Sequence, residues 1–241
     1  MKFYSQDGQD KFLARLFRNK KDGFFIDIGA YDGVNISNTL FFEQVLFWKG
    51  ICIEPNPIVF EDLKINRQCV CLNCCVSDKK GYFKFLSVSG WGIMLSGLLD
   101  FFDEKHLQRI ERTIAEHGGS KEIINVSAMP LKDVFSEYSV KCVDYCTIDV
   151  EGGEISVLQS IDFSKVTIKV FTIENNNRSK TVRNFLQPLG YKLIGKLGAD
   201  EVYELNSIRY DLILKWKIEK KINSIKLMWT GLSNKYLRQG F

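Results

Sequence analysis

Residues 24–33 read FFIDIGAYDG: an aspartate near the end of an apolar run, then Gly29 and Gly33 just beyond it. A glycine turn after a strand lets the backbone approach a ligand closely. The dinucleotide fingerprint is spaced G-x-G-x-x-G, but here Ala30 and Tyr31 follow Gly29, so its second glycine is missing. Asp27 stands where an incoming pyrophosphate would be repelled. An anionic strand end suits a cationic or zwitterionic ligand. S-adenosylmethionine carries an ammonium, a sulfonium and no phosphate, and it fits that charge better than NAD does.

Polar groups recur after the following apolar runs. GICIEPNP sets Glu54 at a run's end, ahead of Pro55 and Asn56. An acid there can accept hydrogen bonds from ribose hydroxyls. Ser77 and Asp78 come after the next run, where an adenine edge would be read. Further along, YCTIDVEGGE carries Asp149, Glu151, Gly152 and Glu154. Asp149 is the best placed base for the proton of an alcohol nucleophile. Its other roles would be to hold a methionine ammonium or to cap the next helix. Glu151 is expected to face the site, whereas Glu154 falls in a first helical turn, where the dipole alone favours an acid.

Glu174 and Asn175 close another run and, with Asp149, make an oxygen-rich set of the kind that suits magnesium, calcium or manganese. The competing reading has them bonding their own loop backbone, and a divalent cation is the less favoured of the two. The two histidines, His106 and His117, lie in one predicted helix. His106 is a candidate base reaching from a lid, against the plainer role of a solvated helix residue. Trp91, in GWG, either stacks on a sugar face or anchors its loop.

These residues need a frame. Strand-length apolar runs at 23–28, 50–54, 70–76, 82–88, 145–149, 169–174, 191–195 and 201–205 alternate with helical segments at 9–18, 38–47, 58–66, 99–117, 131–137, 155–160 and 178–188. Such alternation predicts an α/β domain with a mostly parallel sheet, closed at one end by an antiparallel hairpin over the last two runs. Ligands bind beyond the carboxyl ends of such strands, where the order reverses.

The chain has 241 residues, 45% hydrophobic, with a net charge of +4, which fits one soluble core and does not by itself indicate nucleic-acid binding. Cys69, Cys71, Cys74 and Cys75 crowd together without a second pair at zinc-finger spacing, so reduced buried thiols are expected. The start, MKFYSQDGQD, lacks an apolar run after its lysine, which points away from a secretory signal and towards a cytoplasmic setting.

Four stretches, SQDGQD, FIDIGAYDGVNISNT, CIEPNP and YCTIDVEGGEISVLQ, resemble the FkbM family of S-adenosylmethionine-dependent methyltransferases, and DEVYEL resembles that family's closing strand. The resemblance implies a Rossmann-like class I methyltransferase fold with a seven-stranded sheet. It also implies methyl transfer to an oxygen, often a hydroxyl of a sugar or surface glycan. By position, Asp27, Gly29, Tyr31 and Gly33 match the cofactor loop, Glu54 the ribose acid, and Asp149, Glu151, Gly152 and Glu154 the signature run. Gln9 and Asp10 match an amino-terminal piece that folds over the cofactor. The methyltransferase domain is expected over 1–206, with a substrate-side insertion at 90–118. Residues 207–241 carry lysines between apolar residues at helical spacing, a basic amphipathic tail for packing, dimerisation or peripheral membrane contact. The alternatives are a nicotinamide-dependent oxidoreductase on a similar sheet and a non-catalytic binding protein.

Overall fold

A computed structural model of the chain describes residues 2–206. The tail expected over 207–241 lies outside the described residues. Eleven strands are formed: β1 (Phe24–Ile28), β2 (Lys49–Ile53), β3 (Val70–Leu72), β4 (Cys75–Val76), β5 (Gly81–Val88), β6 (Gly97–Leu98), β7 (Lys121–Met129), β8 (Cys142–Ile148), β9 (Thr167–Glu174), β10 (Tyr191–Leu197) and β11 (Asp200–Leu205). The α-helices among the described residues are α1 (Gln9–Leu16), α2 (Leu40–Leu46), α3 (Pro57–Asn66), α4 (Glu104–His117), α5 (Leu131–Glu137), α6 (Glu154–Gln159) and α7 (Thr181–Leu186).

The main sheet runs β10-β11-β9-β8-β1-β2-β3. Within this sheet β11 alone runs against the other six strands, and it closes the sheet as a hairpin with β10. Period-two alternation sorts its side chains onto two faces. Ile26 and Ile28 pack with Val157, Leu158 and Leu186 on the side of α5, α6 and α7. Phe25, Cys52 and Tyr145 pack with Leu13, Phe41, Phe42 and Leu63 on the side of α1, α2 and α3. Both faces are therefore buried, as a parallel sheet requires. The strand order reverses between β1 and β8, and the crevice above their carboxyl ends is where a ligand belongs.

A second sheet, β4-β7-β5-β6, was not foreseen. The run 70–76 divides because Asn73 turns out of line and its amide donates to the carbonyls of Glu54 (2.8 Å) and Pro55 (3.2 Å). Thus β3 joins the main sheet and β4 the second. The helix expected over 99–117 starts later, at Glu104, because Asp103 caps it by accepting from the His106 N–H at 2.8 Å. All seven cysteines are free. Among the described residues, no helix is long and apolar enough to cross a membrane.

Candidate active site

One cleft, with about 1020 Å³ of free space including its mouth, opens above β1, β2 and β8. Its floor is built by two chain segments in contact. Gly29 adopts φ +82°, and a Cβ there would overlap the carbonyl oxygen of Asp149. The Gly29 and Ala30 N–H groups donate to the Ile53 carbonyl at 3.0 and 3.1 Å, while the Asp149 N–H donates to that of Ile28 at 3.0 Å. The glycine therefore allows β1 and β8 to bring their acids together.

Glu54 is held at the end of β2 by one backbone bond to each oxygen, from the Tyr31 N–H (3.0 Å) and the Asn56 N–H (2.8 Å). Burial pushes its pKa up to about 7, against the pull of those bonds. Each oxygen keeps further acceptor capacity towards the cleft it lines. Asn56 also accepts from the Ile58 N–H at 3.1 Å, starting α3 with Pro57 at its first position.

Asp27 is less open than expected. It accepts from the Thr39 hydroxyl at 2.5 Å and stands 4.0 Å from the Arg67 guanidinium. Burial pushes its pKa up to about 6, with Arg67 and Thr39 opposing. Arg67 was missed in the sequence. It is 5% exposed and ties the loop together: it pairs with Glu43 and donates to the Gly33 carbonyl (3.3 Å) and to the Thr39 hydroxyl (2.9 Å). Gly33 serves this packing, because a Cβ there would press on Arg67 and Leu63.

Beyond β8 the carboxylates crowd. Asp149 is exposed at the cleft, and desolvation together with the like charge of the neighbouring Glu174 drives its pKa well up. Glu151, at φ +53°, is pushed up to about 7 by burial and by Asp149, with Arg109 opposing. Burial and Glu151 raise Glu174 to about 8. The His106 Nδ1 lies 3.6 Å from Glu151, and its Nε2 is 3.0 Å from the Leu95 carbonyl. That carbonyl can only accept, so Nε2 carries hydrogen and Nδ1 turns to the glutamate. Glu154 accepts from the Gly152 N–H at 2.9 Å, a structural part in the turn.

Asp27, Gly29, Ala30, Tyr31, Glu54, Pro55, Asn56, Asp149 and Glu151 all line this cleft. Other expected residues do not. Gln9 donates to Asp200 at 3.0 Å, and Asp10 accepts from the Ser5 hydroxyl at 2.6 Å. Ser77 and Asp78 bond to Ser156, each at 3.2 Å. On the side of the second sheet the cleft is walled by Cys75, Val76, Phe85 and Leu98. Trp91 is 77% exposed and its ring lies 5.4 Å from that of His117, away from the cleft. A neighbouring cavity shares Phe101 and Glu151 with the first and holds His106, Glu174 and Asn175. Asn175 accepts from the Ser179 N–H (2.9 Å) and donates to the Ser179 carbonyl (2.8 Å), so its amide closes a loop rather than waiting for an ion. Among the described residues, no three His, Cys, Asp or Glu side chains are grouped to hold a metal.

Sequence reasoning also missed Asn38, within the quoted NISNT, whose amide lines the cleft. Its signal was position, just before α2.

The sequence model of the Methyltransferase FkbM domain matches residues 27–193. Among solved structures, an FkbM methyltransferase from Methylobacillus flagellatus is similar at 13% identity and a TM-score of 0.47, over 83% of this chain and 48% of the other. This chain therefore spans about half that protein's length. The N-terminal domain of human METTL16 is similar at 12% identity and a TM-score of 0.42, over 80% and 66% of the two chains. A precorrin-6y C5,15-methyltransferase from Geobacter metallireducens is similar at 11% identity and a TM-score of 0.42, over 81% and 86%. Comparison with curated protein sequences finds no match.

Proposed function

The chain belongs to the FkbM methyltransferase family, and we propose that it is an S-adenosylmethionine-dependent O-methyltransferase acting on a hydroxyl of a sugar or surface-glycan-related acceptor. One observation carries the cofactor assignment. Four acids, Asp27, Glu54, Asp149 and Glu151, line the cleft, and among the described residues no lysine, arginine or histidine does. Such a lining favours a cation and disfavours the diphosphate of a nicotinamide dinucleotide.

Asp27, Gly29 and Asp149 would hold the methionine end, Glu54 the ribose hydroxyls, and the apolar wall of the second sheet the base. When bound, the cofactor supplies a methyl group already activated on sulfonium. The chain's own task is then alignment and removal of one proton. Glu151 is the base of choice, because it borders both cavities, is raised to about 7 and faces His106. Asp149 is also raised, by burial and by the Glu174 charge beside it. The second cavity admits the acceptor, and its Asn176, Asn177, Ser179 and Thr181 supply the donors and acceptors a polyol needs.

The test is transfer of tritium from methyl-labelled cofactor to a panel of sugars and nucleotide-linked sugars. The wild-type rate is expected to rise with pH and level off above about 7 as Glu151 ionises. Glu151→Gln should lose about 10²-fold or more in kcat while affinity for S-adenosylhomocysteine, which lacks the sulfonium charge, stays within about threefold. An unchanged kcat would remove Glu151 from the chemistry. Labelling of no hydroxylated acceptor would count against the substrate class.

A further inference from the structure

We propose that the side-chain carbonyl of Asn38 receives the ammonium group of the methyl donor's methionine end, an assignment that rests on the cofactor reading above. Asn38 sits at the mouth of α2 and lines the cleft. Its Nδ2 donates to the Thr147 hydroxyl at 3.2 Å. Its Oδ1 is enclosed and, among the described residues, has no partner. Folds rarely leave a buried carbonyl oxygen unmatched, so the vacancy points to a group that arrives with a ligand.

The amide's orientation follows from its neighbours. The Tyr145 hydroxyl bonds with that of Thr172 at 2.7 Å, and the Thr147 hydroxyl also bears on the Tyr145 oxygen. With Tyr145 donating to Thr172, Thr147 donates to Tyr145 and accepts from Asn38. That chain is consistent with Nδ2 turned to Thr147 and leaves Oδ1 without a protein donor among the described residues. An amide oxygen can only accept, so the ligand must bring a donor.

Position selects which donor. Thr147 is the register partner of Asp27 across β1 and β8, so Asn38 stands over the gap where the strand order reverses. Glu54 is one strand away, at the end of β2, and the apolar wall lies on the second sheet. Ribose hydroxyls and base are thereby provided for elsewhere. The ammonium is the donor left for the β1–β8 gap, with Asp27 beside it to balance its charge.

Two ligands separate the parts of the cofactor: S-adenosylhomocysteine, which keeps the ammonium, and 5′-methylthioadenosine, which has the same base, ribose and sulfur but no amino-acid end. In titration calorimetry, Asn38→Leu should weaken the first by about 10-fold or more, the range of a hydrogen bond to a charged group, and leave the second within about twofold. Asn38→Asp keeps an acceptor, so it should retain or tighten S-adenosylhomocysteine binding; this variant carries the test if the leucine variant does not fold. Equal weakening of both ligands by Asn38→Leu would overturn the assignment, as would no change in either. Weakening of S-adenosylhomocysteine by Asn38→Asp would overturn it too, because it would place the carboxylate there instead. Wild-type protein that binds neither ligand would instead sink the cofactor reading itself.

Discussion

Gly29→Ala is expected to abolish cofactor binding and to lower the melting temperature by roughly 10 °C. Two costs combine. Gly29 sits at φ +82°, where an L side chain is strained by about 1–2 kcal/mol. Its new Cβ would also overlap the Asp149 carbonyl, which is backbone and cannot swing aside as a flexible side chain would. Overpacking of this kind adds about 1–3 kcal/mol. Relief would require β1 and β8 to part, yet the Asp149 N–H is bonded to Ile28 at 3.0 Å and the Gly29 N–H to Ile53 at 3.0 Å. Any movement that makes room therefore misplaces Asp149. Thermal unfolding and titration with S-adenosylhomocysteine check this together. A variant that melts within about 2 °C of wild type and binds normally would show that the contact is not as tight as described.

Arg67→Met should destabilise the fold by about 3–5 kcal/mol at pH 8, because it leaves the buried carboxylates of Asp27 and Glu43 without their cation. The Glu43 carboxylate would still accept from the Gln68 and Cys69 N–H groups at 2.7 and 2.9 Å, but Asp27 would keep only Thr39. The loss carries a pH signature. Asp27 already has a pKa raised to about 6 with Arg67 beside it, and removing that charge raises it further. A carboxyl whose folded pKa lies above its unfolded value gives stability at low pH that is lost as pH rises through the folded pKa. The deficit of Arg67→Met should thus be smaller near pH 5 than at pH 8. Denaturant unfolding at both pH values measures it, and a deficit independent of pH would show that Arg67 acts by packing alone.

The frame of the site was legible because its signals are local. The run 24–28 is apolar around a single acid, Gly29 follows at once, and the strand-end rule then singles out Glu54 and Asp149. Arg67 was not legible. A lone arginine after a helix reads as solvated, and its partners Glu43 and Gly33 lie 24 and 34 residues earlier. Strand β7 was passed over because its first residues, Lys121 and Glu122, are charged and exposed. Its alternation of Ile124, Val126 and Ala128 with Asn125 and Ser127 was the available clue. Missing β7 meant missing the second sheet and with it the apolar wall of the cleft, and the bonds of Ser77 and Asp78 to Ser156 were not legible either. Gln9 illustrates the same limit: its partner, Asp200, lies 191 residues further along the chain.

The central claim is that an acid-lined cleft, with no basic residue lining it among the described residues, receives a positively charged methyl donor. Calorimetric titration near pH 7 in two buffers of different ionisation enthalpy tests it directly. Glu54 and Glu151 are both poised at about 7, so a cation settling among them should expel protons. S-adenosylmethionine is predicted to bind with net proton release, greater than that of S-adenosylhomocysteine, while NAD gives no binding heat. Saturable binding of NAD with none of S-adenosylmethionine would contradict the account.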